Sequence, residues 1–214
     1  MKLEELLQHK VVAIVRGVSS KYILDTVQAL KDGGIHAVEI TFDQKSREKY
    51  EDTLVSLKII KSHFGDSIGL GVGTVMTAET VKEACDCGAE YIISPNVSES
   101  VIRETKKLGL LSIPGALTPT EAALAYEYGA DVVKLFPAGN LGKGYIKALM
   151  GPLNHIPFMA VGGVNSENVK EFMDIGVVGV GIGGNLVNVS AIENGEFDKI
   201  TAAAKEYMDA IAAM

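Results

Sequence analysis

The stretch Gly129-Ala130-Asp131-Val132-Val133-Lys134-Leu135-Phe136-Pro137 joins a glycine that can end a helix to a short β-branched run that stops at proline. Glycine suits the left-handed position that closes a helix, and the run after it has strand composition. The same punctuation recurs at Gly33-Gly34, Gly65, Gly88, Gly109 and Gly176. The runs that follow those endings are 36–42, 68–75, 91–95, 110–115 and 177–183. Two more, 11–17 and 157–163, bring the strand candidates to eight.

The intervening segments read as helices. Between 46 and 64, Tyr50, Leu54, Leu57, Ile60 and Phe64 fall near a helical period. Thr118-Pro119-Thr120-Glu121 is a capping box with proline at the first helical position. Ser98 and Asn165 are expected as N-caps. The strand runs are apolar on both faces, as in a parallel sheet covered by helices. Eight βα units with no linker predict one domain over residues 1–214, a compact (β/α)8 TIM barrel. An open doubly wound sheet is the alternative, because periodicity does not report closure. Residues 196–214 are expected to form a last helix closing the barrel base.

Composition removes several classes of function. The chain has 20 Lys and Arg against 27 Asp and Glu, a net charge of −7. That balance argues against nucleic acid as a partner. No apolar run reaches membrane-spanning length, and the acidic start is unlike a signal peptide, so no membrane partner and a cytoplasmic location are expected. Cys85 and Cys87 are two apart in a helical stretch and point to different faces, which suits neither a disulfide nor a chelate. The four histidines are scattered without ligand spacing, so no metal site is expected.

In a barrel the site lies at the C-terminal ends of the strands. Lys134 sits on the face of its strand shared with Val132 and Phe136. Burial would draw its amine toward the neutral, nucleophilic form; a lysine snorkelling from the strand end or held in a structural ion pair is the plainer reading. Glu39, on the face of Ala37 and Thr41, is an acid where strands rarely carry one. It reads as a proton-transfer group beside Lys134, or as that lysine's inert partner. Arg16 ends the first strand and could clamp an anion. Thr74 ends the third, after Gly71 and Gly73, which would let a ligand approach closely. Gly162-Gly163 and Gly183-Gly184 follow the seventh and eighth strands, where barrels commonly build phosphate sites. Asp43 reads as loop or cap chemistry.

Taken in order, Arg16-Gly17, Val38-Glu39-Ile40-Thr41, Gly71-Val72-Gly73-Thr74-Val75, Ser94-Pro95-Asn96, Pro114-Gly115, Thr118–Glu121, Val133–Ala138, Gly162-Gly163-Val164 and Gly183-Gly184 resemble a known set of motifs. The set is that of the pyruvate-forming class I aldolases of the 2-keto-3-deoxy-6-phosphogluconate type, together with those for the galactonate epimer and for 4-hydroxy-2-oxoglutarate. The resemblance runs over residues 8–212. It implies Lys134 as the Schiff-base lysine and Glu39 as the acid/base. It also implies that Arg16, Thr74 and the backbone near Pro95 hold the keto-acid end, and that Gly162, Gly163, Gly183 and Gly184 cradle a distal phosphate. A small keto acid or sugar phosphate as ligand, a homotrimer, and chemistry without metal or cofactor complete what it implies. Three positions depart from the pattern. Asp43 stands where some members carry arginine, Val161 where the gluconate type often has threonine, and Asn185 where serine is common.

Overall fold

The computed structural model describes residues 1–213. After a short helix α1 (Leu3–His9), strands and helices alternate. The strands are β1 (Val11–Val15), β2 (Ala37–Thr41), β3 (Gly69–Gly73), β4 (Tyr91–Ile93), β5 (Leu111–Ile113), β6 (Gly115–Ala116), β7 (Val133–Leu135), β8 (Phe158–Val161) and β9 (Gly179–Ile182). The helices are α2 (Ile23–Asp32), α3 (Arg47–Phe64), α4 (Ala78–Asp86), α5 (Glu99–Lys107), α6 (Pro119–Glu127), α7 (Ala138–Met150), α8 (Val169–Asp174), α9 (Val189–Glu193) and α10 (Phe197–Ala212). All eight expected strand runs are strands.

Every pairing is parallel, in the order β5-β4-β3-β2-β1-β9-β8-β7-β6. The two ends of that order, β5 and β6, are successive halves of one chain segment interrupted at Pro114. Residues 111–113 pair with β4 and residues 115–116 with β7. The sheet therefore returns on itself, a nearly closed barrel with its seam at a residue that has no N–H to donate. The open-sheet alternative is excluded by this return.

Strand alternation sorts the buried side chains into two sets. Val11, Ala13, Val15, Val38, Ile40, Leu70, Val72, Val133, Leu135 and Val180 face the helices. Val12, Ile14, Ala37, Tyr91, Ile93, Val132, Met159 and Val161 fill the interior. Strand β3 gives the interior only glycines. A Cβ on Gly69 would meet Met1, one on Gly71 would land 1.8 Å from the Tyr91 ring, and one on Gly73 would land 1.5 Å from Glu39 Oε1. Those glycines make room for the protein's own side chains rather than for a ligand, which corrects the sequence reading. Tyr91 uses the space to place its hydroxyl 2.7 Å from the Val38 carbonyl, to which it donates.

The base is closed from the other end of the chain than expected. Helix α1 buries Leu6 against the interior set, with Met1, Leu3 and Leu7 packed on it. Helix α10 instead completes the outer ring, packed against α2, α8 and α9. Thr201 Oγ1 donates to the Ala29 carbonyl (3.0 Å) across that contact. An amphipathic pattern shows that one face is buried, not what buries it.

Local signals fared unevenly. The Thr118–Glu121 capping box forms, and Gly129 takes a left-handed φ of 109° after α6. Ser98 holds the N-cap position of α5 without accepting a capping bond from a helix N–H; its hydroxyl pairs with that of Ser100. Asn165 caps a preceding turn, accepting from the N–H groups of Glu167 and Asn168, so α8 begins only at Val169. Among the described residues no helix is long and apolar enough to cross a membrane.

Candidate active site

Parallel strands bring all their C-terminal ends to one mouth, and every residue singled out in the sequence lies at it or just inside. Lys134 is on β7, and only 7% of it is exposed. Glu39 is on β2 at 1%. Both project into the interior, where a charge is costly unless balanced. Burial draws the Lys134 amine below its ordinary range; the nearby Arg16 cation acts the same way, and the Glu39 carboxylate opposes them. Burial also pushes the Glu39 carboxyl up, against the pull of Lys134, Arg16 and a hydrogen bond from Thr41. That bond, Thr41 Oγ1 to Glu39 Oε1, spans 3.3 Å. Glu39 Oε2 is buried with no hydrogen-bond partner. The two groups sense each other's charge without making an ion pair within 4.0 Å. The result is an amine biased toward neutrality next to a carboxyl with an uncommitted oxygen, which is the equipment of a nucleophile with a proton carrier. The inert ion pair that the sequence left open is not formed.

Arg16 follows β1 and is exposed, with Nη2 3.3 Å from Thr74 Oγ1. Thr74 follows β3 with a positive φ of 57°, unusual for a β-branched residue. Pro95 follows β4, and its carbonyl lies against Gly115, too close for a Cβ there. Asp43, in the loop after β2, accepts hydrogen bonds from the N–H groups of Lys45 (2.7 Å) and Ser46 (3.0 Å). Its carboxyl is held below the usual range by those bonds. It shapes the loop, as the sequence suggested.

On the opposite side of the mouth, Gly162 and Gly163 pass the start of α7. The Gly162 carbonyl accepts from Gly139 N–H at 2.7 Å, and Gly163 lies against Gly139 with no room for a Cβ. Asn185 Nδ2 donates to the Val164 carbonyl (3.0 Å), tying the loop after β9 to the loop after β8. Among the described residues the N–H groups of Gly163 and Gly184 find no acceptor, so two adjacent loops offer free donors to an anion.

A cleft of about 720 Å³ opens over β1 and β2, lined by Arg16, Thr41, Gln44, Lys49, Asp52 and Thr74 among others. It reaches the Arg16–Thr74 side of the mouth but not Lys134 or the glycine loops, so the Lys134–Glu39 pair sits in the barrel rather than in this cleft. Two neighbours of that pair and of Thr74 escaped the sequence reading. The Phe136 ring lies 4.9 Å from Lys134 Nζ and covers it; its shared strand face with Lys134 was the available signal. Gln44 donates from Nε2 to the Thr74 carbonyl (2.9 Å), a contact across thirty residues that no local pattern announces.

The family described as "Aldolase: KDPG and KHG aldolase" matches residues 3–203. The chain belongs to the KDPG and KHG aldolase family. A 2-dehydro-3-deoxy-6-phosphogalactonate aldolase of Escherichia coli strain K12 is 35% identical over 201 residues, covering 94% of this chain and 95% of the relative. A KHG/KDPG aldolase of the same strain is 28% identical over 201 residues, with 93% and 91% covered. The KDPG aldolase of Legionella pneumophila, whose structure holds pyruvate captured at low pH as a covalent carbinolamine intermediate, superposes with a TM-score of 0.86 at 26% identity, covering 96% of this chain and 97% of the other. Family membership makes this barrel a class I aldolase, a carbon–carbon lyase.

Proposed function

We propose that the chain cleaves a phosphorylated 2-keto-3-deoxy sugar acid to pyruvate and glyceraldehyde 3-phosphate, and that it also cleaves 4-hydroxy-2-oxoglutarate to pyruvate and glyoxylate. The observation that carries the reading is Lys134, a lysine buried on a strand, drawn toward neutrality and set beside the half-bonded carboxyl of Glu39. Neutral Lys134 attacks the C2 ketone to give a carbinolamine, which loses water to an iminium. Glu39, directly or through a water, takes the proton of the C4 hydroxyl. The C3–C4 bond breaks, its electron pair moves toward the iminium to form an enamine, and the aldehyde leaves. Protonation at C3 and hydrolysis release pyruvate and restore the amine. The iminium stabilises charge that an unaided carbanion could not.

In this reading Arg16 and Thr74 hold the substrate carboxylate, with the backbone at Pro95 beside it. Gly162, Gly163, Gly183 and Gly184 cradle the phosphate, with the free N–H groups of Gly163 and Gly184 as donors. Of the two sugar-acid epimers, the galactonate form is favoured by the 35% identical relative and by Val161 before the glycine pair. The homotrimer that the resemblance implies is in keeping with exposed apolar side chains after β6 and on α7, Leu117 and Tyr145; light scattering at three times the 22.7 kDa chain mass would test it.

The substrate is decided by a lactate-dehydrogenase-coupled assay on the gluconate, galactonate and unphosphorylated keto acids. The reading expects the phosphorylated galactonate acid to give the highest kcat/KM. Release of pyruvate from none of the three would overturn it.

A further inference from the structure

Thr74 is the feature of the mouth that the proposed chemistry leaves unexplained. It is a β-branched residue with a left-handed backbone, φ 57°, at the point where its hydroxyl meets Arg16. Such a conformation persists only where its surroundings impose it. On either side the chain is held by strand-end bonds. Phe42 N–H donates to the Gly73 carbonyl (3.0 Å). Val75 N–H donates to the Ile93 carbonyl (3.3 Å), and Ser94 Oγ donates to the Val75 carbonyl (2.8 Å). The carbonyl of Thr74 itself is held by a side chain, Gln44 Nε2 at 2.9 Å.

Gln44 is aimed there by its own loop. Asp43 folds the loop by accepting from the N–H groups of Lys45 and Ser46. Ser46 then caps α3 by accepting from Lys49 N–H. The loop is fastened to β2 before it and to α3 after it, and Gln44 is the exposed residue between that reaches across to β3.

We propose that Gln44 is a positioning residue of this enzyme. Its amide clamps the left-handed Thr74 peptide so that Thr74 Oγ1 and the Arg16 guanidinium present a two-point receptor for the carboxylate of the keto acid. Arg16 makes no salt bridge within 4.0 Å among the described residues, and its one side-chain hydrogen bond is the 3.3 Å contact to Thr74, so its other donors remain for the substrate. Asp43 shapes the loop that delivers Gln44. The inference rests on the proposed carboxylate role of Arg16 and Thr74.

The test is a double-mutant cycle on the full-length enzyme with steady-state kinetics on its keto-acid substrate. Gln44→Met keeps the length of the side chain and removes the donor. It is expected to raise KM about tenfold while kcat stays within about threefold, because the carboxylate is held alike in the ground and transition states. In a Thr74→Gly background, where glycine takes the left-handed conformation unaided, the same change should cost less than twofold. A merely structural role for the loop would instead give equal effects in both backgrounds, and that equality would overturn the proposal. So would an unchanged KM in Gln44→Met. Trapping wild-type enzyme with pyruvate and borohydride separates the levels. An adduct on Lys134 with unchanged KM in Gln44→Met defeats this inference alone, whereas no adduct defeats the proposed chemistry and this inference with it.

Discussion

Replacing Gly73 by alanine should disarm the site without substituting any reactive group. The new Cβ would fall 1.5 Å from Glu39 Oε1, 2.3 Å from its Cδ and 2.7 Å from its Cγ. Carbon does not sit closer than 3.0 Å to a neighbouring heavy atom, so the carboxylate oxygen must retreat by at least 1.5 Å. Glu39 is 1% exposed, so its carboxyl must move within the barrel interior rather than out into solvent. The retreat therefore breaks the bond from Thr41 and shifts the carboxyl relative to Lys134. A displacement of about 1 Å at a reacting group costs on the order of 100-fold in rate, or about 2.7 kcal/mol of barrier. Overpacking the interior should lower stability by about 1–3 kcal/mol. The coupled pyruvate-release assay gives kcat, and circular dichroism with a thermal melt verifies that the variant is folded. Gly69→Ala is the control. Its Cβ meets the Met1 side chain at 2.1 Å, on the same strand but paired with Ala37 rather than with Glu39, so it should lose stability and keep kcat wherever it remains folded. A folded Gly73→Ala enzyme with kcat within threefold of wild type would refute the reasoning, because the position of Glu39 would then not matter.

Further outcomes follow from the same geometry. Glu39→Gln removes the carboxylate that opposes the fall of the Lys134 pKa, so the pH midpoint for trapping pyruvate with cyanoborohydride should move down; a midpoint that stays or rises would contradict the assigned coupling. Because burial raises the Glu39 pKa in the folded state, its ionised form weakens the fold. The stability it contributes is present below its ordinary pKa and is lost as pH rises through the elevated one. The melting temperature of Glu39→Gln relative to wild type should therefore climb across that interval, and a flat difference would count against it. Gly184→Glu has no neighbour within 4 Å of its Cβ but sets a negative charge where phosphate is proposed to bind. It should raise KM at least tenfold for phosphorylated substrates and leave 4-hydroxy-2-oxoglutarate within twofold; equal losses on both would remove the phosphate assignment. Leu6→Ala in the α1 plug should cost about 2–5 kcal/mol of stability with kcat preserved below the melting range, and unchanged melting would deny α1 its place in the core.

The strands were legible because their ends are written locally, in a helix-ending glycine followed by a β-branched run. Lys134 and Glu39 were legible because a charged residue inside such a run contradicts its surroundings. Closure was not, since it depends on Pro114 splitting one run between two pairing partners, a relation between segments far apart in the chain. The base was assigned to the wrong terminus for a similar reason: α1 and α10 both carry an apolar face, and only the packing shows which plugs the barrel. The glycines of β3 misled because a missing side chain reads the same whether the space serves a ligand or, as with Tyr91 and Glu39, a neighbour. Gln44 gave no sign at all. An exposed glutamine in a loop becomes informative only beside the carbonyl of Thr74.

The most direct measurement is to incubate the enzyme with pyruvate, reduce with borohydride, digest, and locate the modified residue by mass spectrometry. A stable pyruvate-derived adduct confined to Lys134, and missing from a folded Lys134→Ala variant, is the predicted result. An adduct on another lysine, or its persistence in Lys134→Ala, would place the nucleophile elsewhere and contradict the account.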